Sequence, residues 1–202
     1  MNEKRIPVQS ILENNAVDKI SVWAEKNPII SDLVEFLSLE FKIDITSDLD
    51  IVNGYERDSS NINGNAEVLC RPGNELECAL VLLCCQSAKI PLTISAGRTN
   101  LTGSATPEGG VVLSIEKMTH PMVKVDMVSK TLTAPVGMYL EDMRKEALRQ
   151  SNNKLHYPVD PTSRKEAMVG GTLSCNASGF IPGPAGATRY WTEGLAFLTP
   201  NG

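Results

Sequence analysis

Leu92-Thr93-Ile94-Ser95 is a strand-forming run entered through Pro91, and it breaks off into Ala96-Gly97-Arg98-Thr99-Asn100-Leu101-Thr102-Gly103. No helical periodicity resumes directly after it, so the spacing describes a loop at the end of a strand. Gly97 and Gly103 can take positive φ and let a ligand approach the backbone closely. Ser95, Thr99, Asn100 and Thr102 add side-chain donors, and successive amides in such a turn can form an anion-binding nest. The chemistry that fits is the holding of a phosphate-bearing ligand. The same residue types also build ordinary surface turns, so the surroundings of the loop must decide. G-x-x-x-x-G-K-[ST] is absent and Ala96 to Gly103 does not spell G-x-G-x-x-G, which leaves a P-loop NTPase or a Rossmann domain without support.

A second segment has the same character: Met168-Val169-Gly170-Gly171-Thr172-Leu173-Ser174-Cys175-Asn176-Ala177-Ser178-Gly179, preceded by Tyr157-Pro158-Val159-Asp160-Pro161. A ligand that spans two subdomains needs each of them to approach it with bare backbone. For either segment a packing turn is the alternative.

The elements that must position these segments follow from periodicity. Val17 to Lys26 is a weak amphipathic helix stopped by Pro28. A clearer helix begins at Ser31, with Leu33, Phe36, Leu37 and Phe41 on one face. Ile45 to Asn65 is polar, contains Asn63-Gly64, and reads as a loop. From Ala66 the pattern becomes β-α-β. Ala66 to Arg71 is a strand, and Asn74 caps a helix running to about Ala88 with Leu76, Ala79, Leu80, Leu83 and Cys84 expected to be buried. Pro91 to Ser95 is the second strand, and open α/β sheets bind ligands in loops at strand ends of this kind. Val111 to Ser114 then opens a second α+β layer. Met122 to Asp126 and Thr131 to Pro135 are strands around Ser129-Lys130, and Gly137 to Gln150 is a helix with Leu140, Met143 and Ala147 at i, i+3 and i+7. Gly194 to Thr199 reads as a strand, and Pro200-Asn201-Gly202 carries a hairpin signal. A hairpin strand without its partner suggests an N-terminal piece of a longer protein, the alternative being a natural end at a frayed turn.

Composition narrows the function classes. The chain has 202 residues, 42% of them apolar, and a net charge of −5, which argues against a nucleic-acid surface. No apolar run approaches the roughly 18 residues of a membrane span, and the N-terminus lacks a signal-peptide core, so the expectation is a cytoplasmic protein without a membrane span. The five cysteines (Cys70, Cys78, Cys84, Cys85, Cys175) form no C-x-x-C pair, and with two histidines they indicate neither a disulfide framework nor a metal site. Small buried thiols are the expectation.

Taken in order, these marks resemble the FAD-dependent oxidoreductases with a vanillyl-alcohol-oxidase or p-cresol-methylhydroxylase (PCMH) type of flavin domain, and within them the D-lactate dehydrogenase and glycolate oxidase flavoprotein-subunit branch. The resemblance covers roughly Asn53 to Gly202. Ala96 to Gly103 corresponds to the family's pyrophosphate loop, G-G-G-T-[NGS]-L-x-G. Pro158 to Pro161 is its Pro-x-Asp-Pro element, Val169 to Gly171 its [IV]-G-G, and Asn176 to Gly179 its N-A-[GS]-G. Gly186-Ala187-Thr188-Arg189 matches Y-G-x-T-R. Ala96 and Arg98 replace glycines of the loop, so the Arg98 side chain must point away from the flavin or meet its phosphates, the second being favourable. The sequons at Asn100 and Asn176 lie inside these motifs and are discounted.

The resemblance implies an α+β chain: N-terminal helices over residues 1–60, then a PCMH-type FAD-binding domain over 61–202 made of subdomains at about 61–105 and 106–202. It implies FAD, bound by Ile94, Ser95, Ala96, Gly97, Arg98, Thr99, Asn100 and Gly103 at the pyrophosphate, and by Pro158, Asp160, Ala167, Met168, Gly170, Gly171, Cys175, Asn176, Ala177 and Ser178 elsewhere. Some members tether FAD through a histidine in the loop, and none stands there, so the FAD is expected to be non-covalent. The implied substrate is a small 2-hydroxy acid such as D-lactate or glycolate. The base and the carboxylate-binding cations belong to a C-terminal substrate domain that this chain lacks, so no catalytic residue is assigned, His156 included, and the electron acceptor is left unassigned. Alternatives are a same-fold cell-wall precursor reductase, the flavin subunit of a molybdenum hydroxylase, or a non-catalytic nucleotide-binding module.

Overall fold

The computed structural model describes residues 6–7, 12 and 14–199. Helix α1 (Asn14–Ala24) buries Ile20 and Trp23, and α2 (Ile30–Glu40) buries Leu33 and Leu37. These pairs are three and four residues apart and so share a face. The Asp32 carboxylate accepts from the Ile29 amide at 2.9 Å at the start of α2. Trp23 stacks on Phe36 with ring centroids 4.8 Å apart, which joins the two helices.

The stretch expected to be a loop, Ile45 to Asn65, holds three short elements. These are β1 (Ile45–Thr46), α3 (Leu49–Val52) and a 3-10 turn at Asn53–Tyr55. Local pattern could not show them, because four residues are little more than one helical turn. What fixes α3 is the Asp48 carboxylate, which accepts from the Asp50 amide at 3.0 Å, together with burial of Val52. What fixes β1 is antiparallel pairing with β2 (Val68–Cys70), Ile45 opposite Cys70 and Thr46 opposite Leu69.

The central sheet has the order β1-β2-β4-β3, with β3 at Leu92–Ser95 and β4 at Val111–Ser114. β4 is parallel to both β2 and β3 and lies between them. The sheet therefore draws on residues beyond Gly103 and includes Val111 to Ser114, the strand expected to open a separate second layer. Its inner strands are buried on both faces, as parallel strands covered on two sides must be. Val68, Cys70, Val111 and Leu113 face the core shared with the N-terminal helices and α4 (Glu75–Ser87), whereas Leu69 and Val112 pack with Val52 and Ala66 on the other side.

Asn74 caps α4 by accepting from the Glu77 amide at 3.0 Å. Ala79, Leu80 and Cys84 are buried as expected and Leu83 is half-buried, but Leu76 is 46% exposed. α4 packs beneath α1 and α2 as well as on the sheet, so its buried arc widens to Cys78, Val81 and Cys85 and leaves the first turn at the rim. Burial pushes the thiol of Cys78 up to about 11 and that of Cys85 up to about 12, and those of Cys70 and Cys84 higher still. Only thiolate reacts with alkylating agents. Iodoacetamide on the native protein at pH 8 is expected to label exposed Cys175 alone, the other four becoming reactive in denaturant, as peptide mass mapping would read.

The hairpin β5 (Lys124–Asp126) and β6 (Thr131–Thr133) forms a separate two-stranded sheet. Helix α5 (Leu140–Gln150) buries Leu140, Met143 and Ala147 as its periodicity predicts. Leu140 and Met143 share a cluster with Val169, against which Leu132, Tyr157 and Leu173 pack. Gln150 ties the hairpin to the helix, donating to the Val123 carbonyl at 2.9 Å and accepting from the Val125 amide at 3.1 Å. Gly194 to Thr199 is not a strand, having no ladder partner among the described residues; Leu198 instead packs against the main core. The expected turn at Pro200 to Gly202 lies outside the described residues.

Candidate functional site

The loop after β3 is shaped from outside itself. None of the amides from Ala96 to Ser104 donates a hydrogen bond to another described residue. Such donors must be met by water or by a ligand. Gly103 takes the expected left-handed φ of 74°, but Gly97 does not, and the second left-handed position falls on Arg98 at 53°. Gly97 is needed for close approach instead. A Cβ there would run into the Glu166 carbonyl oxygen and come within 3.1 Å of the Ala167 Cα.

That approach brings the two glycine-rich segments together. Residues 169–174 form helix α6 (Val169–Ser174) rather than a loop, with Gly170 and Gly171 in its first turn. A Cβ on Gly171 would stand 3.2 Å from the Ala96 Cβ, so Ala96, Gly97, Ala167 and Gly171 line one seam. The space a side chain on Gly170 would take is already filled by Ile115 and Val136. Met168 and Ala167 are buried beside the seam, as is Ser95, whose hydroxyl has no partner among the described residues. Ile94 is 49% exposed, and Thr99 is half-buried.

The second group gathers at the other end of α6. Cys175 ends that helix and Asn176 follows at φ 45°, a left-handed position that asparagine tolerates at helix ends. The Asn176 side-chain oxygen accepts from the Arg189 amide at 3.0 Å, and the Ala177 carbonyl accepts from the Thr188 amide at 3.0 Å and its hydroxyl at 2.7 Å. Ser178 bridges to Ala187. A Cβ on Gly179 would strike the Asp160 backbone, so the Pro158 to Pro161 element lies directly against Asn176 to Gly179. The Asp160 carboxylate itself is held by Arg144 at 2.9 Å and Arg164 at 3.2 Å, both of which also reach Glu141. These four side chains, with Tyr157 and His156, line a cavity of about 250 Å³.

Sequence reasoning missed the groups that hold the first loop. Arg98 does not lie free: its guanidinium sits 4.4 Å from the centroid of the Tyr55 ring, whose hydroxyl donates to Glu116 at 2.8 and 2.9 Å. Asp58 is 8% exposed and accepts from Asn100 Nδ2 at 2.5 Å, the Ala105 amide at 3.3 Å and the Ser60 amide at 2.9 Å. Burial alone would raise its carboxyl, but the hydrogen bonds from Ser60, Asn100 and Ala105 outweigh that and keep it below the usual carboxylate range. The charged form is what the fold selects. Nothing in the local pattern of Tyr55 to Ser60 announces a partner some forty residues away.

The mixed α+β fold is that of PCMH-type FAD-binding domains. The solved structures similar to this chain have that fold. Alkyldihydroxyacetonephosphate synthase matches with a TM-score of 0.63 at 17% identity, over 75% of this chain and 33% of that one. Glucooligosaccharide oxidase from Acremonium strictum, described with a 6-S-cysteinyl, 8α-N1-histidyl FAD, matches with a TM-score of 0.55 at 18% identity, over 73% of this chain and 30% of that one.

Residues 66–202 match the FAD binding domain family, and the chain belongs to it. Among curated relatives, D-2-hydroxyglutarate dehydrogenase of Xanthomonas citri pv. viticola is 34% identical over 68% of this chain and 29% of its own length. D-lactate dehydrogenase of Anaerostipes hadrus is 33% identical over 76% of this chain and 32% of its own, and the glycolate oxidase subunit GlcD of Bacillus subtilis 31% identical over 67% and 28%. The chain thus spans about a third of the length of the curated relatives it matches. Among the described residues, no helix is long and apolar enough to cross a membrane.

Proposed function

We propose that this chain is the FAD-binding portion of a cytoplasmic flavin-dependent oxidoreductase that oxidises a small 2-hydroxy acid, such as D-lactate or glycolate, to the 2-oxo acid. The observation that carries the reading is the run of unpaired amides from Ala96 to Ser104 seated against Glu166 and Ala167 at Gly97. Successive backbone N–H groups free to donate suit a diphosphate. The 2-hydroxy-acid substrate class is supported by the names of the relatives. The residues assigned to FAD are Ile94 to Asn100 and Gly103 at the diphosphate, with Pro158, Asp160, Ala167, Met168, Gly170, Gly171 and Cys175 to Ser178 along the remainder. The N-terminal helices and the two subdomains belong to the same reading.

Bound FAD supplies the two-electron acceptor for the hydrogen on the hydroxyl-bearing carbon. The part played by this chain is positional. The loop amides fix the diphosphate, and the glycine seam lets backbone reach it. Retention of FAD is proposed to be non-covalent, because Ala96 to Ser104 contains neither histidine nor cysteine. The base and the substrate's carboxylate site are assigned to the further two thirds that the relatives possess.

Titrating the purified protein with FAD, FMN and riboflavin while following flavin fluorescence tests the reading. The expected result is saturable binding of FAD at least tenfold tighter than of FMN, flavin released on acid precipitation, and protection of Cys175 from iodoacetamide by FAD. Equal affinity for FAD and riboflavin would remove the diphosphate from the reading.

A further inference from the structure

Among the described residues the amides from Ala96 to Ser104 donate no hydrogen bond, and the bonds within the loop are made by side chains alone, Asn100 Nδ2 donating to Ser104 Oγ at 3.0 Å and Thr102 Oγ1 to Ser104 Oγ at 3.2 Å. Apart from the seam at Ala96 and Gly97, the loop backbone is held by one short segment, Tyr55 to Ile62, which lies before the residues that match the family. Ser59 donates to the Arg98 carbonyl twice, from its amide at 3.1 Å and from its hydroxyl at 3.2 Å. The Tyr55 ring carries the Arg98 guanidinium, and the Tyr55 hydroxyl is anchored on Glu116. Asp58 holds the loop at two further points, the Asn100 side chain and the Ala105 amide. Ile62 closes over Gly103, where a Cβ would meet its Cδ1 at 2.8 Å.

We infer that Tyr55 to Ile62 is a strap that pre-shapes the diphosphate loop, with Asp58 as its principal positioning residue, and this rests on the FAD reading above. The chemistry of Asp58 is unlike that of a ligand contact. A carboxylate repels a diphosphate, so an acid this close to the loop contributes only by gripping the loop from behind. It does so through acceptor bonds to a side-chain amide and a backbone amide, and bonds to a charged acceptor are among the stronger ones. Tyr55 acts in the same direction, keeping Arg98 stacked beside the loop instead of collapsed across its amides. With the loop already shaped, binding need not order it, and that preorganisation appears as affinity.

The test uses two readouts on the full chain. The first is FAD affinity of Asp58→Ala, Asn100→Ala and the double variant. The second, made without FAD, is the rate of tryptic cleavage after Arg98. Asp58→Ala is expected to bind FAD at least tenfold more weakly and to be cut after Arg98 several times faster, and its effect on affinity should shrink in the Asn100→Ala background because the two side chains share a bond. Unchanged affinity and cleavage, or full additivity in the double variant, would overturn the strap. Should Asp58→Ala not fold, Tyr55→Leu decides, with faster cleavage after Arg98 at a melting temperature within a few degrees of wild type as the supporting result and unchanged cleavage as the contrary one. If wild type itself bound no FAD, the FAD reading would fail, whereas the cleavage rates would still settle whether the segment holds the loop.

Discussion

Replacing Gly97 by alanine is expected to weaken FAD binding by a hundredfold or more, although the substitution adds one methyl group. The added Cβ would occupy the position of the Glu166 carbonyl oxygen and crowd the Ala167 Cα. Both are backbone atoms, so no change of rotamer relieves the overlap. Either the loop or residues 166–167 must move, and in both cases the seam on which the two clusters meet opens. A displacement of about 1 Å is enough to misplace several hydrogen bonds at once, each contributing about 1.5–3 kcal/mol to a charged acceptor, and about 2.7 kcal/mol is a hundredfold in affinity. Gly73→Ala is the control, since it lies outside the residues assigned to FAD and its Cβ would stand 3.6 Å from the Glu77 carboxylate, an ordinary van der Waals distance. FAD titration of both variants checks the prediction. Gly97→Ala binding as tightly as wild type would show that the seam does not govern the diphosphate loop.

The largest loss of stability is expected from Leu113→Ala. Leu113 is fully buried on inner strand β4, pairs in register with Cys70 on one side and Ile94 on the other, and belongs to the main core. Truncating a buried leucine removes its transfer energy and leaves a cavity that β4, held between two parallel neighbours, cannot collapse to fill. The cost is about 3–5 kcal/mol. For a chain of this size that lowers the melting temperature by roughly 6–20 °C, taking about 2–4 °C per kcal/mol. Thermal denaturation followed by far-UV circular dichroism measures it. Leu76→Ala, in the first turn of α4 and half exposed, should shift the midpoint by little. Equal shifts for the two would mean that β4 is not the inner strand.

By itself the sequence determined the elements whose information is local. Asn74 and the apolar pattern behind it marked α4, the i, i+3, i+7 set at Leu140, Met143 and Ala147 marked α5, and turn residues marked the β5–β6 hairpin. The ordered glycine motifs pointed to the family to which residues 66–202 belong. Caps and periodicities act within one or two turns of chain, so they are visible in the residues that make them.

The tertiary structure alone decided what depends on partners far along the chain. It set β4 between β2 and β3, because a strand's neighbours are chosen by crossover and not by its own pattern. It turned α4 so that Leu76 lies at the rim, filled the space at Gly170 with Ile115 and Val136, and made 169–174 a helix. It also placed Tyr55, Asp58 and Ser59 around a loop some forty residues later, and set Arg144 and Arg164 between the carboxylates of Asp160 and Glu141. A polar segment with no period carries no local sign of such a role. Its conformation is fixed by hydrogen bonds whose other ends exist only once the sheet has formed.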